Sequence, residues 1–320
     1  MSATPAAPAP DASTRIPDLP AGIGGTDPAA PLQYTPEDVA AARELLESVG
    51  GADLEPVGEV SRGASAVEGA AVGDPAAPAP VVTLSDEQLA ALDGYERRQF
   101  VALPWLEAHP EQRRTAAAVA LRGMIASGQV LTRTARHEEG PRWRAVPEIS
   151  GCLVLRRTAE SFTTAERTVR TEAGPQVHRL HCYVHPRGIL EEETTADGLH
   201  RFTVLGRVQA AERLAAFLDP AGAAVADGAS VHVRTSALPE HPLAAQLAAT
   251  RTLTVLTHVR AADGSVQQLS TYATADGMLT LEALDPSAED PRLEVRPVGP
   301  ASLRALATVL TGGGDGSAAP

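Results

Sequence analysis

Lysine is absent from this chain: all 27 basic residues are arginine. A phosphate-cradling P-loop, a kinase ATP site and a Schiff-base enzyme each normally use an amine that is missing here. Cysteine is scarce, with two in 320 residues, so the chain is no disulfide scaffold. No run of about 18 apolar residues reads as a membrane span, and the N-terminus lacks the basic-then-apolar pattern of a secretion signal. A cytoplasmic setting is the expectation. GxSxG, HExxH and CxxC patterns are also missing, and nothing nominates a nucleophile. The chain therefore reads as a non-enzyme with no catalytic residue.

Large apolar residues are thin over residues 1–80, where "ATPAAPAPDAS", "GGTDPAAP" and "VGDPAAPAP" offer little to offset ordering entropy. This stretch holds 3 Arg against 12 acids, and the other 240 residues hold 24 Arg against 28 acids. Most of the net −13 thus sits in an acidic tail, which argues against a protein that coats nucleic acid. One island interrupts it: "TPEDVAAARELLESVG" has Thr35 to cap, Pro36 at the first helical position and an apolar stripe through Leu46 and Val49. That predicts a short helix over 36–49. The expected layout is a disordered tail over 1–80 containing that helix, one α+β domain over 81–311, and a disordered C-terminus over 312–320.

What the chain has is a repeat. "LHCYVHPRGIL" (180–190) returns as "LSTYATADGML" (269–279), with Leu, Tyr, Gly and Leu at the same places, 89 positions on. Further matches follow in order at offsets of 91 (Val204 with Val295) and 92 (Leu214 with Leu306). Each copy reads as strand, hairpin and covering helix, over 151–220 and 251–311, joined by a link at 221–250. The first strand of the first copy is assigned to "CLVLRRTAESF". Gly188 and Gly277 suit hairpin positions that need positive φ. Tyr183 and Tyr272 are expected to pack against something, since a buried Tyr removes about 150–250 Å² from water. A half-unit alone leaves a sheet edge and an apolar face uncovered, and pairing the halves removes both. The fold class is therefore α+β: a pseudo-two-fold duplicated antiparallel sheet flanked by helices, behind a long disordered N-terminal tail.

Two clusters invite chemistry. His178, His181, Cys182 and His185 lie close in sequence, but on a strand they alternate faces, which disfavours a tetrahedral metal site. The run Glu191, Glu192 and Glu193 is scattered in the same way. Separately, residues 85–146 read helix, helix, helix, ribbon, the order of a winged-helix DNA-binding regulator. "EQRRTAAAVALRGMIASGQV" would be the recognition helix, with Arg133, Arg136, Arg142 and Arg144 near phosphates. Ala116 to Ala120 leave few side chains to read bases, and Glu138 and Glu139 sit at the wing tip, so this is the alternative reading.

The segment order resembles the EspG-type chaperones of actinobacterial type VII (ESX) secretion. "VVTLSDEQLAAL" is similar to that family's opening strand and helix, "AAAVALRGMIASGQV" to its "LaarGL" helix end, and "CLVLRRTAES" to its first sheet strand. "GASVHVRTSAL" is similar to its mid-chain link, although Thr235 stands where the link often has Pro. The closing hairpins and last helix are matched by "RAADGSVQQLSTYATADGMLTLEA" and "RLEVRPVGPASLRALATVL". The resemblance implies a central antiparallel sheet between helical clusters and a cytosolic chaperone for the helical tip of secretion substrates. It implies no catalysis and no cofactor; the expected partner is a protein, with no membrane, nucleic-acid or small-molecule partner expected. Within the repeat, "TTAERTVRTEAGP" (163–175) reads as a long loop opposite the short "AADG" (261–264). Loops are where a duplicated scaffold tends to carry function, so Glu166, Arg167, Arg170 and Glu172 are the expected partner contacts.

Overall fold

The computed structural model describes residues 34–50, 78–94, 99, 101–132, 143–172 and 174–312. The expected disorder of residues 1–33, 51–77 and 313–320 lies outside the described residues. The described residues fall into two compact units: Tyr34 with those between 86 and 146 form one, and those of 35–50, 78–85 and 147–312 form the other.

Helix α1 (Pro36–Gly50) and strand β1 (Val82–Ser85) belong to the larger unit. The start of α1 is fixed reciprocally. The Thr35 amide donates to the Asp38 carboxylate at 3.0 Å, and the Asp38 amide donates to Thr35 Oγ1 at 3.2 Å. Two otherwise orphaned donors are thereby satisfied.

The smaller unit runs α2 (Asp86–Asp93), α3 (Pro104–Ala108), a 3-10 turn, α4 (Arg113–Ala126), then the antiparallel ribbon β2 (Val130–Thr132) and β3 (Trp143–Ala145). Leu89, Leu106, Ala117, Leu121 and Met124 make its core. The buried Asp86 accepts the Trp105 and Leu106 amides at 2.7 and 3.2 Å, which caps α3 from a distant element.

The rest of the larger unit runs α5 (Pro147–Arg157), β4 (Ser161–Thr171), β5 (Gly174–His185), β6 (Gly188–Thr194), β7 (Leu199–Leu205), α6 (Arg207–Leu218), β8 (Val231–Arg234), α7 (Leu243–Ala248), β9 (Thr252–Arg260), β10 (Val266–Ala273), β11 (Met278–Ala283), β12 (Arg292–Pro297) and α8 (Pro300–Leu310). Two expectations are corrected here. "CLVLRR" is the end of helix α5, and the first long strand begins only at Ser161. The supposed loop 163–175 is strand: β4 and β5 pair from Ser161↔Val184 to Thr171↔Gly174, so only Glu172 and Ala173 lie between them. The matching turn of the second copy, 261–265, is the longer one.

All ten of the larger unit's strands form one antiparallel sheet in the order β1-β7-β6-β5-β4-β9-β10-β11-β12-β8. That order is the same read from either end once β1 is matched to β8, β7 to β12, β6 to β11, β5 to β10 and β4 to β9. The register supports the match. Tyr183 pairs with Leu190 and Tyr272 with Leu279, each 89 positions on, whereas Ala165 pairs with Leu180 and Leu256 with Leu269, which sets β4 and β9 91 apart. At the next strand Leu190 pairs with Val204 and Leu279 with Pro297, an offset of 93. The sequence match of Val204 to Val295 is thus two residues short, an even slip that keeps every side chain on its own face. Gly206 and Gly299, also 93 apart, are both extended N-caps of the covering helices.

Helices α6 and α8 cover one face of the sheet. Leu180, Leu214, Leu218, Leu256, Met278, Leu303 and Leu310 are buried together there, with Cys182, Val184 and Ile189 extending that layer. Each such aliphatic contributes about 1.5–3 kcal/mol on leaving water. The halves diverge between the edge strand and the central strand. Residues 86–160 separate β1 from β4, while only 235–251 separate β8 from β9.

Candidate partner-binding surface

The face of the sheet away from α6 and α8 is finished differently in the two halves. In the first half α5 lies on it, and α1 packs on α5, β6 and β7. Gly151 permits the close helix crossing: a Cβ there would stand 2.7 Å from Leu45 Cδ1 and 3.1 Å from backbone atoms of α1.

Under α5 sits a sealed polar cluster. Arg156 Nε meets Glu192 Oε2 at 2.9 Å, Tyr183 donates to the same oxygen at 2.5 Å, and His200 Nδ1 lies 2.6 Å from Glu192 Oε1. Burial alone would raise the Glu192 carboxyl, but Arg156 and His200 outweigh it and hold it well below the usual carboxylate range. Burial pushes His181, stacked on Phe162, down to about 4. The Tyr183 hydroxyl is raised by burial and then by the Glu192 charge beside it. This cluster has no access to solvent, so it orders the core rather than meeting a substrate.

In the second half the counterpart of α5 is α7, six residues long with no buried residue. The positions sealed in the first half are open here. Tyr272, the copy of the buried Tyr183, is part-exposed, as are Leu281, the copy of Glu192, and Ser270, the copy of His181. Tyr272 therefore does not pack as fully as the repeat led one to expect. Beside it, Leu253 and Val255 of β9 are part-exposed on the same face. Four apolar side chains thus form a patch across β9, β10 and β11 where a charged, covered cluster stands on the other side of the dyad.

The four residues singled out in sequence divide between the faces. Glu166 is paired across the β4–β9 ladder with Val255, on the face of the apolar patch, and meets Arg179 at 2.8 Å. Arg170, four residues on, projects to that same face and is exposed. Glu172 is exposed in the turn. Arg167 points the other way: it donates to the Phe217 carbonyl at 2.7 Å and lies 4.2 Å over the Phe217 ring. Burial lowers its pKa, and its work is to hold α6. The patch itself escaped sequence reading: in "TLTVLT" at 252–257, Leu253 and Val255 alternate with Thr, but Leu256 of the opposite face breaks the pattern.

His178 and Cys182 project to the α6–α8 face and His181 and His185 to the other. Among the described residues no group of three or more His, Cys, Asp or Glu is placed to hold a metal ion. Glu191 likewise faces α6, where Arg213 meets both its oxygens at 2.9 Å. Of the residues proposed to touch DNA, Arg133, Arg136 and Arg142, with Glu138 and Glu139, lie outside the described residues, and Arg144 is half-buried. No helix among the described residues is long and apolar enough to cross a membrane.

No protein-family model matches the chain. No curated protein matches it either. Among solved structures it is similar to the Mycobacterium tuberculosis type VII secretion system chaperone EspG5, in complex with a PE25–PPE41 dimer. The two are 12% identical over 72% of this chain and 95% of that one, with a TM-score of 0.44.

Proposed function

We propose that this chain is a non-enzymatic chaperone or adaptor of type VII (ESX-like) secretion, one that holds a helical substrate protein in the cytoplasm. The observation that carries the reading is the uncovered half of the sheet: Leu253, Val255, Tyr272 and Leu281 part-exposed where the first half has a helix-sealed core. A rigid apolar patch with an aromatic side chain suits the centre of a protein interface. Glu166 and Arg170 share that face and supply a polar rim, with Glu172 at its end. The sequence resemblance to EspG-type chaperones supplies the class of partner.

The test is co-expression of the tagged full chain with a helical secretion-substrate pair from the same genome. Capture is expected, and Tyr272→Arg and Leu281→Arg should each weaken it at least about tenfold, with thermal stability little changed because both sites are part-exposed. Full capture by both variants overturns the reading. Salt-sensitive retardation of duplex DNA by the chain would move its function to residues 85–146 instead.

A further inference from the structure

We infer that the second half carries a seat for one helix of the partner, the dyad counterpart of the seat that α1 fills in the first half, and that this seat selects a basic residue. The inference rests on the chaperone reading and specifies its partner.

In the first half, Gly188 admits α1: a Cβ there would stand 3.3 Å from Leu46 and 3.4 Å from Val49. At the rim, Arg187 Nη1 meets Glu47 Oε1 at 3.0 Å. The strand offsets carry Gly188, Arg187 and the positions of β6 and β7, on which α1 packs, across the dyad, and the β4–β9 offset extended back along the chain carries α5 onto α7. Gly188 maps to Gly277, Arg187 to Asp276, Leu190 to Leu279, Val204 to Pro297 and Leu155 of α5 to Gln246 of α7. These five mapped residues all line a single cleft of about 260 Å³. At Gly277 a Cβ would meet only the Ala223 carbonyl oxygen, at 3.9 Å, an ordinary contact, and Val225 and Ala226 of the link line the cleft beside it. A cleft of that size takes side chains rather than a helix backbone, so a helix would lie across its mouth and insert two aliphatic side chains one turn apart, as Leu46 and Val49 do.

The rim charge is reversed. Where the first half offers Arg187 to a glutamate, the second offers Asp276, which is exposed and forms no ion pair among the described residues. A second copy's α1 is thereby disfavoured as the occupant, because it would set Glu47 against Asp276. The fitting helix carries Arg or Lys immediately after the first of its two aliphatic residues. The seat also adjoins the patch, since Leu279 is the strand partner of Tyr272.

Two helix-stabilised peptides test this: PEDVAAARELLESVG, the α1 sequence, and its Glu47→Arg form. Both are titrated against the full chain and against its Asp276→Arg variant by fluorescence anisotropy. The arginine peptide is expected to bind the native chain about tenfold more tightly than the glutamate peptide, and Asp276→Arg to invert that order. No binding by either peptide, equal affinities, or a preference that survives Asp276→Arg overturns the seat; a surviving preference for the glutamate peptide would mark exchange with α1, whose seat presents Arg187. Because this measurement uses peptides alone, it separates from substrate capture. Capture that depends on Tyr272 while the peptide preference fails removes the seat and leaves the chaperone reading; the converse removes the reading.

Discussion

Ala165 and Leu256 stand opposite each other where β4 meets β9, and the offset of 91 makes them copies of the same position. A position can face its own copy only on the axis that relates the halves, so the pseudo-dyad passes between these two side chains. Both are buried beneath α6 and α8.

Leu256→Ala removes the larger of the two from the centre of that layer. A loss of about 2–5 kcal/mol is expected, with the upper part of the range if the sheet cannot collapse around the cavity. Urea denaturation followed by circular dichroism measures it, and an unchanged midpoint would contradict the burial seen at this position.

The Arg156–Glu192 pair should behave as a unit. Arg156→Met leaves a buried carboxylate without its cation, at a cost of roughly 3–5 kcal/mol. Adding Glu192→Leu, the residue type that Leu281 supplies at the copied position, is expected to recover part of that loss. A double variant less stable than the Arg156 variant alone, in the same urea series, would refute the coupling.

Stability should fall on the acid side in two stages. His181 is neutral when buried and titrates near 4, against 6.5 when free. The unfolded chain therefore binds the extra proton first, and stability present above pH 6.5 is lost as the pH drops toward 4, on the order of 3 kcal/mol in all. His185 and His258 are also lowered and act in the same direction. Glu192, held down in the folded chain, adds a second loss once the pH passes below the ordinary carboxylate range. His181→Leu should make the first stage shallower, leaving the share of His185 and His258 and the second stage in place, as read from unfolding midpoints between pH 8 and 4.

Gly151→Leu is expected to lift α1 from α5, because the space beyond its Cα is already taken by Leu45 and the α1 backbone. Hydrogen exchange should quicken across Pro36–Gly50 while β4, β5 and β9 keep their protection. Uniform exchange in the variant and the native chain would show that the crossing does not depend on glycine.

How far the sequence spoke for itself varies along the chain. The duplication was legible because Gly188/Gly277 and Tyr183/Tyr272 keep their spacing, and strand and hairpin geometry punish any odd slip. The strand assigned to "CLVLRR" failed for a physical reason: a short apolar run between polar flanks fits a buried helix turn as well as a strand. The loop assigned to 163–175 failed because β4, although central, keeps one face part-exposed and so carries Thr, Glu and Arg where a central strand usually carries aliphatics. The open patch was not legible, since Tyr272 differs from Tyr183 only in what lies above it, and that is decided by the six residues of α7 against the eleven of α5.

The outermost strands, β1 and β8, are each four residues long. A sheet that has already doubled by lateral pairing is chemically equipped to go on accreting neighbours, because every free margin displays amide and carbonyl groups in strand spacing. Clipping both margins to four residues leaves too little ladder for another molecule to continue the growth. Broad faces can then be offered to other proteins without the whole assembly spreading into fibres.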